Sequence, residues 1–163
     1  MRIGVISDTH IPDRAEIIPQ QVMDDFKGVD MIIHAGDLVD LKVLEQLKSA
    51  CRNVRAVWGN MDPYEVRKKL PEKEVFEVSG HKIGLVHGHG APINLLELMG
   101  SIFKNDDVEM IIFGHAHCAV NEEKEGVIYF NPGSPTDKIY CPYNSYGIIE
   151  INDKIEAKII KIK

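Results

Sequence analysis

Short apolar runs of strand character alternate with longer stretches of helical period along the first half of the chain, and most of the strand-like runs end on a residue able to bind a cation. Ile3, Val5 and Ile6 around Gly4 form a β-branched run suited to a central strand covered on both faces, and it stops at Asp8-Thr9-His10. With one residue between them, Asp8 and His10 fall on the same side of an extended chain, within reach of one ion. Open α/β sheets bind ligands at this carboxyl edge. After the loop Ile11-Pro12-Asp13-Arg14, the stretch Ile17 to Phe26 places Val22, Met23 and Phe26 on one face, with Pro19 suited to a first turn, and predicts a short amphipathic helix. Met31 to His34 is a second strand running into Ala35-Gly36-Asp37. Asp40 can cap a helix through Ala50 whose Leu41, Leu44 and Leu47 cover the sheet. Val54 to Val57 completes a βαβαβ half and leads into Gly59-Asn60.

Beyond Pro63 the pattern changes. Glu74 to Val78 and Lys82 to Val86 alternate with period two around Ser79-Gly80, which reads as a hairpin, and its second strand ends in His87-Gly88-His89-Gly90. Ile93 to Phe103 carries Leu95, Leu98, Met99 and Ile102 on one helical face. Met110 to Phe113 is a short apolar strand followed by Gly114-His115-Ala116-His117. Ala119 to Glu123 pairs with Val127 to Phe130, which ends in Asn131-Pro132-Gly133-Ser134, and Tyr146 to Ile151 pairs with Lys154 to Ile162. The carboxyl half thus reads as mainly antiparallel. This order of elements predicts an α/β fold of two packed mixed β-sheets flanked by helices.

Taken singly, Gly36-Asp37 and Gly59-Asn60 are turn dipeptides. The repeated layout of strand, small residue and oxygen ligand is what marks them as site residues. His34, alone on a strand, reads as a hydrogen-bonded core residue, and Asp13 and Arg14 as solvated loop charges. Asn131 to Ser134 reads as a turn or as support for the edge, and Asp62 receives no definite role.

Composition narrows the classes. A chain of 163 residues with 44% apolar and 27% charged residues is expected to form one globular domain over residues 1–163. No apolar run is long enough to span a bilayer and the amino terminus lacks signal-peptide character, so a cytoplasmic location without a membrane partner is expected. The net charge of −6 argues against a long nucleic acid as partner. Cys51, Cys118 and Cys141 are odd in number and lack CxxC spacing, and are expected to be small, partly buried thiols outside any disulfide framework or zinc site.

Asp8-Thr9-His10, Gly36-Asp37, Gly59-Asn60, the His87 motif and Gly114-His115-Ala116-His117, in this order and each after a strand, resemble the calcineurin-like metallophosphoesterase superfamily. The resemblance covers nearly the whole chain, and within the superfamily it is to the compact phosphodiesterases of the YfcE type. It implies two divalent transition-metal ions, Mn²⁺ first, with Ni²⁺, Fe and Zn²⁺ as alternatives. Asp8, His10 and His117 would hold one ion and Asn60, His87 and His115 the other, with Asp37 bridging. The implied reaction is hydrolysis of a small phosphate ester by in-line attack of a hydroxide at the two-metal centre, without a phosphoenzyme. Many members carry a histidine directly after the asparagine, where this chain has Met61. His89 is therefore the candidate leaving-group acid, the alternative being a hydrogen-bonded loop histidine. A non-catalytic, protein-binding scaffold of the Vps29 lineage is the second functional expectation, and a homodimer is left open.

Overall fold

The computed structural model describes residues 1–163, with every side chain except that of Pro92. Its first strand sets the plan. In β1 (Arg2–Ile6), Ile3 and Val5 point to one side of the sheet while Gly4 and Ile6 face the other, and both sides are buried. Gly4 is required by close approach, since a Cβ there would lie 2.6 Å from the ring carbons of Phe26.

Along the chain follow α1 (Gln20–Phe26), β2 (Met31–His34), α2 (Lys42–Ala50), β3 (Val54–Ala56), α3 (Tyr64–Arg67), β4 (Lys73–Val78) and β5 (His81–Val86). The remainder is α4 (Leu95–Ile102), β6 (Met110–Ile112), β7 (Val120–Lys124), β8 (Val127–Asn131), β9 (Ser145–Ile151) and β10 (Ile155–Lys161). The strands form two five-stranded sheets, ordered β10-β9-β1-β2-β3 and β4-β5-β6-β8-β7. Both are mixed: β1 runs parallel to β2 but antiparallel to β9, and in the second sheet β6 lies parallel to β5 and β8, which pair antiparallel with β4 and β7.

The sheets face each other across Ile3, Val5, Ile33 and Ile149 on one side and Ile83, Leu85, Met110, Ile112 and Phe130 on the other. The outer face of the first sheet buries Ile6, Ile32 and Ile148 under Val22 and Phe26 of α1 and Val43 and Leu47 of α2. The outer face of the second lies under Leu95 and Met99 of α4. Neighbours such as Ile32 and Ile33 therefore serve different cores, which is why these strands read as continuous apolar runs. The expected fold of two mixed sheets between helices is the one observed.

Three local expectations are corrected. The centre of the second sheet is parallel, because period-two patterning fixes which side chains share a face and not the direction of the neighbouring strand. The first helix begins after Pro19, at Gln20, and not at Ile17. A short helix, α3, follows Pro63 where none was expected; its Val66 joins the core beneath α1 and α2. Among the described residues no helix is long and apolar enough to cross a membrane.

Candidate metal centre

The carboxyl ends of β1, β2 and β3 in one sheet, and of β5 and β6 in the other, meet at one edge of the sandwich. Asp8 and His10 follow β1, Asp37 follows β2, Asn60 follows β3, His87 follows β5 directly, and His115 and His117 follow β6. The chain does not stay extended there. Asp8, His10, Asp37, His115 and His117 adopt φ values of 53°, 42°, 57°, 69° and 58°, in the left-handed region that non-glycine residues rarely occupy. The pairs Asp8/His10 and His115/His117 are thus brought inward by turns, which corrects the extended geometry expected for them.

These turns are fixed by hydrogen bonds between elements. Asp8 N–H donates to Gly36 O at 3.0 Å, His10 N–H to Asp37 O at 3.0 Å, and Gly114 N–H to His87 O at 3.0 Å. The Ser134 hydroxyl donates to Asp8 O at 2.8 Å and the Asn131 amide to Gly114 O at 2.8 Å, so the Asn131 to Ser134 segment supports the edge. Asp62 is buried and ties the loop after β3 to the loop after β2, accepting from Asp37 N–H at 3.0 Å, Gly59 N–H at 2.7 Å and Val39 N–H at 2.6 Å. Burial pushes its carboxyl pKa up. Gly59 and Gly114 have no room for a side chain: a Cβ at the first would strike the Asp37 carboxylate, and at the second the Ser7 hydroxyl.

Within this frame Asp8 Oδ1 lies 3.5 Å from His117 Nε2, 3.8 Å from His87 Nε2 and 4.0 Å from His10 Nε2. Asp37 Oδ2 lies 3.2 Å from His87 Nε2 and 3.6 Å from His10 Nε2. Two overlapping donor sets result, Asp8 with His10 and His117, and Asp8 with Asp37 and His87, all five residues being buried. His115 stands beside the second set, against Asn60. His115 Nδ1 is 3.0 Å from Asn60 Oδ1, its Nε2 is 2.9 Å from Gly90 O, and its ring meets that of His87 edge-on at 5.5 Å.

The rings are oriented from behind. His87 Nδ1–H donates to Ala35 O at 2.7 Å, which leaves Nε2 buried without a hydrogen bond and facing two carboxylates. His117 Nδ1–H donates to Asp137 Oδ1 at 3.1 Å, while Nε2 faces His10 Nε2 at 3.2 Å. Burial opposes charge on His87, but the Asp8 and Asp37 carboxylates outweigh it and carry its pKa up to about 9. His10 is held below its ordinary value, chiefly by burial. Burial raises the Asp37 pKa, yet His87 and the Met61 N–H outweigh that and hold it low. An unpartnered imidazole nitrogen between buried carboxylates, in a donor set without thiolate, fits a divalent transition-metal ion.

His34 is the hydrogen-bonded core residue expected. Its Nδ1 accepts from Gly36 N–H at 3.2 Å and its Nε2–H donates to Thr9 Oγ1 at 3.1 Å. Met61, His115 and His117 line a cleft of about 550 Å³ over the cluster, together with Asp13 and Arg14, which the sequence reading left to solvent. His89 is exposed and lines an adjoining cavity of about 370 Å³ shared with Asn60 and His87. Gly88, with φ of +96°, breaks the extended path that would have set His89 beside His87.

Two features escaped the sequence. Asp137 carries no motif, yet its Oδ2 accepts from the N–H groups of Ile139, Tyr140 and Cys141 at 3.2, 2.8 and 3.0 Å while Oδ1 holds His117. Cys118 and Cys141 form a disulfide with Cα atoms 5.4 Å apart, which corrects the expectation of three free thiols; Cys51 alone is free. The turn at His117 leads Cys118 to the loop that Asp137 folds, and brings the two cysteines together across 23 residues.

Two sheets converging on such a cluster define a metallophosphoesterase architecture, and the chain belongs to the calcineurin-like phosphoesterase superfamily, whose domain matches residues 1–154. It is 42% identical over 168 residues to the probable metallophosphoesterase MJ0623 of Methanocaldococcus jannaschii, covering 100% of this chain and 82% of that one. It is 28% identical to the phosphodiesterase MJ0936 of the same organism, covering 98% and 99%. Among solved structures, Vps29 of Entamoeba histolytica complexed with Zn²⁺ superposes with a TM-score of 0.81 at 28% identity, covering 99% of each chain.

Proposed function

We propose that this chain is a metal-dependent phosphodiesterase that hydrolyses small phosphate esters at a two-metal centre. The observation that carries the reading is the convergence of Asp8, His10, Asp37, His87 and His117, with the bare Nε2 of His87 aimed between two buried carboxylates. Asp8, His10 and His117 would hold one ion, His87 with Asn60 and His115 the second, and Asp37 both. Two divalent ions there, Mn²⁺ first, would polarise the phosphoryl oxygens and lower the pKa of a nearby water.

The residues prepare that chemistry. Ala35 and Asp137 lock the His87 and His117 rings with Nε2 inward. Neither hydroxyl flanking Asp8 lines the cleft: Ser7, which donates to Asp8 Oδ2 at 2.6 Å, and Thr9, which accepts from His34, are both fully buried. Neither is poised as a nucleophile, which supports direct in-line displacement by water without a phosphoprotein. His89, on the Asn60 and His87 side, is proposed as leaving-group acid; His89→Ala should slow an ester with a poor leaving group more than an activated one. A cytoplasmic location belongs to the same proposal.

The test is hydrolysis of bis-p-nitrophenyl phosphate by metal-stripped protein, with and without Mn²⁺ or Ni²⁺, beside Asp37→Asn and the corresponding monoester. Turnover that appears with metal and is lost in Asp37→Asn is expected. A folded, metal-loaded protein without turnover would favour the second reading, a protein-binding scaffold like Vps29. That reading draws on the exposed apolar side chains of Ile93, Ile139 and Tyr140, which are 90%, 64% and 63% exposed.

A further inference from the structure

The cleft over the cluster is lined by His10, Asp37, Asn60, His115 and His117, and Arg14 is the only lysine or arginine beside them. Its place is fixed by the backbone: Arg14 N–H donates to His10 O at 2.8 Å, one turn after the candidate ligand. Elsewhere in the chain, Arg55 pairs with Glu74, and Arg67 donates to the carbonyls of Asn60 and Asp62. Among the described residues the Arg14 guanidinium has no such partner, and Asp13, on the same cleft wall, makes no ion pair with it.

A half-buried cation without a protein partner, at the mouth of a cleft floored by candidate metal ligands, is a place for an anion. The guanidinium presents a planar fork of donors that matches two phosphoryl oxygens, which a single ammonium does not. The chain as a whole carries a net charge of −6, so an anionic ester approaching it needs local positive charge at the entrance. We propose that Arg14 is a substrate-binding residue of this centre, its guanidinium hydrogen-bonding the charged phosphoryl oxygens of the ester held over Asp8 and Asp37. This rests on the phosphoesterase reading. It assigns the cleft to phosphorylated ligands, inorganic phosphate included, and makes Arg14 a determinant of KM.

The test is calorimetric binding of inorganic phosphate to the Mn²⁺-loaded protein, run beside hydrolysis of bis-p-nitrophenyl phosphate. Wild type, Arg14→Gln and Arg14→Lys are compared, with Arg52→Gln as control, an exposed arginine just before β3 at the opposite strand ends. Arg14→Gln is expected to weaken phosphate binding and raise KM by about 10- to 100-fold, with metal content unchanged and kcat moved less, as for a contact made equally to ground and transition states. Arg14→Lys should recover part of the loss, and Arg52→Gln should match wild type. If Arg14→Gln binds phosphate and turns over like an active wild type, the assignment of Arg14 is overturned and the phosphoesterase reading stands. If the folded, metal-loaded wild type neither binds phosphate nor hydrolyses the diester, both are overturned. Metal lost from Arg14→Gln in step with activity would make Arg14 a support for His10, which also overturns the proposal.

Discussion

His117 is held on two sides by groups that the motif around it does not contain. Asp137 takes its Nδ1–H, and the ring of Tyr140 meets it edge-on at 5.0 Å between centroids. Burial raises the Asp137 pKa, but the N–H groups it accepts and His117 outweigh this and hold the carboxyl ionised. A carboxylate behind a metal-binding imidazole fixes its tautomer and raises its basicity, and removing one costs roughly 10- to 100-fold in metal affinity. Asp137→Ala is therefore expected to weaken metal binding at the proposed site that includes His117 by about that factor, read by titrating Mn²⁺ into stripped protein. Asp137→Asn should do little better, because with its amide oxygen on the three N–H donors its NH₂ faces His117 Nδ1 and favours the tautomer that carries the proton on Nε2. Unchanged affinity in both variants would mean that packing against Tyr140 alone orients the ring.

At the level of elements, the ends of β1 and β2 are joined through His34, whose two ring nitrogens bond Thr9 and Gly36. The bonds require a neutral ring, and full burial lowers its pKa from 6.5 to about 3. The unfolded chain therefore takes up this proton first as the pH falls. The stabilisation is complete above pH 6.5 and declines as the pH drops through 6.5 towards 3, at ~1.4 kcal/mol per pH unit. Urea unfolding of chelated wild type and His34→Gln should show a gap in stability that is wide at about pH 7 and narrower by roughly 2 kcal/mol at about pH 5. A gap independent of pH would relieve His34 of this role. Most strands were legible because they needed apolar residues in a run or at alternate positions, and their order implied the two-sheet plan; β7, with Val120 as its one apolar residue, was legible from its pairing across a turn with β8. The candidate ligand residues could be singled out because chemistry, unlike packing, demands particular side chains at strand ends. What could not be read was the left-handed turn at Asp8 and His117, or the parallel setting of β6, since neither leaves a period in the sequence. Asp137 was invisible for a related reason: a lone loop carboxylate reads as solvated until the fold shows what it faces.

Across the whole molecule, the connection from β8 to β9 carries the chain from the second sheet to the first, past the metal-ready edge. Hydrogen bonds pin it there: Ser134 Oγ–H donates to Asp8 O at 2.8 Å and Thr136 Oγ1–H to Thr9 O at 2.7 Å. The Cys118–Cys141 disulfide is the covalent member of this set, tying the connection to the residue after His117. Three cysteines without a recognisable spacing gave no hint of it, because only the fold of the segment between them, a sequence separation of 23, brings the pair together. Closing a loop of that length restricts the unfolded chain by about 3 kcal/mol in the chain-entropy account. For a domain of this size that corresponds to roughly 6–12 °C in Tm. Metal-free protein is thus expected to melt lower in dithiothreitol than in its absence, whereas Cys141→Ser should melt at the lower temperature in both conditions. Equal melting of the wild type with and without reductant would show that the hydrogen bonds of Ser134, Thr136 and Asp137 suffice to hold the connection. The two cysteines would then be neighbours placed by the fold, not a constraint upon it.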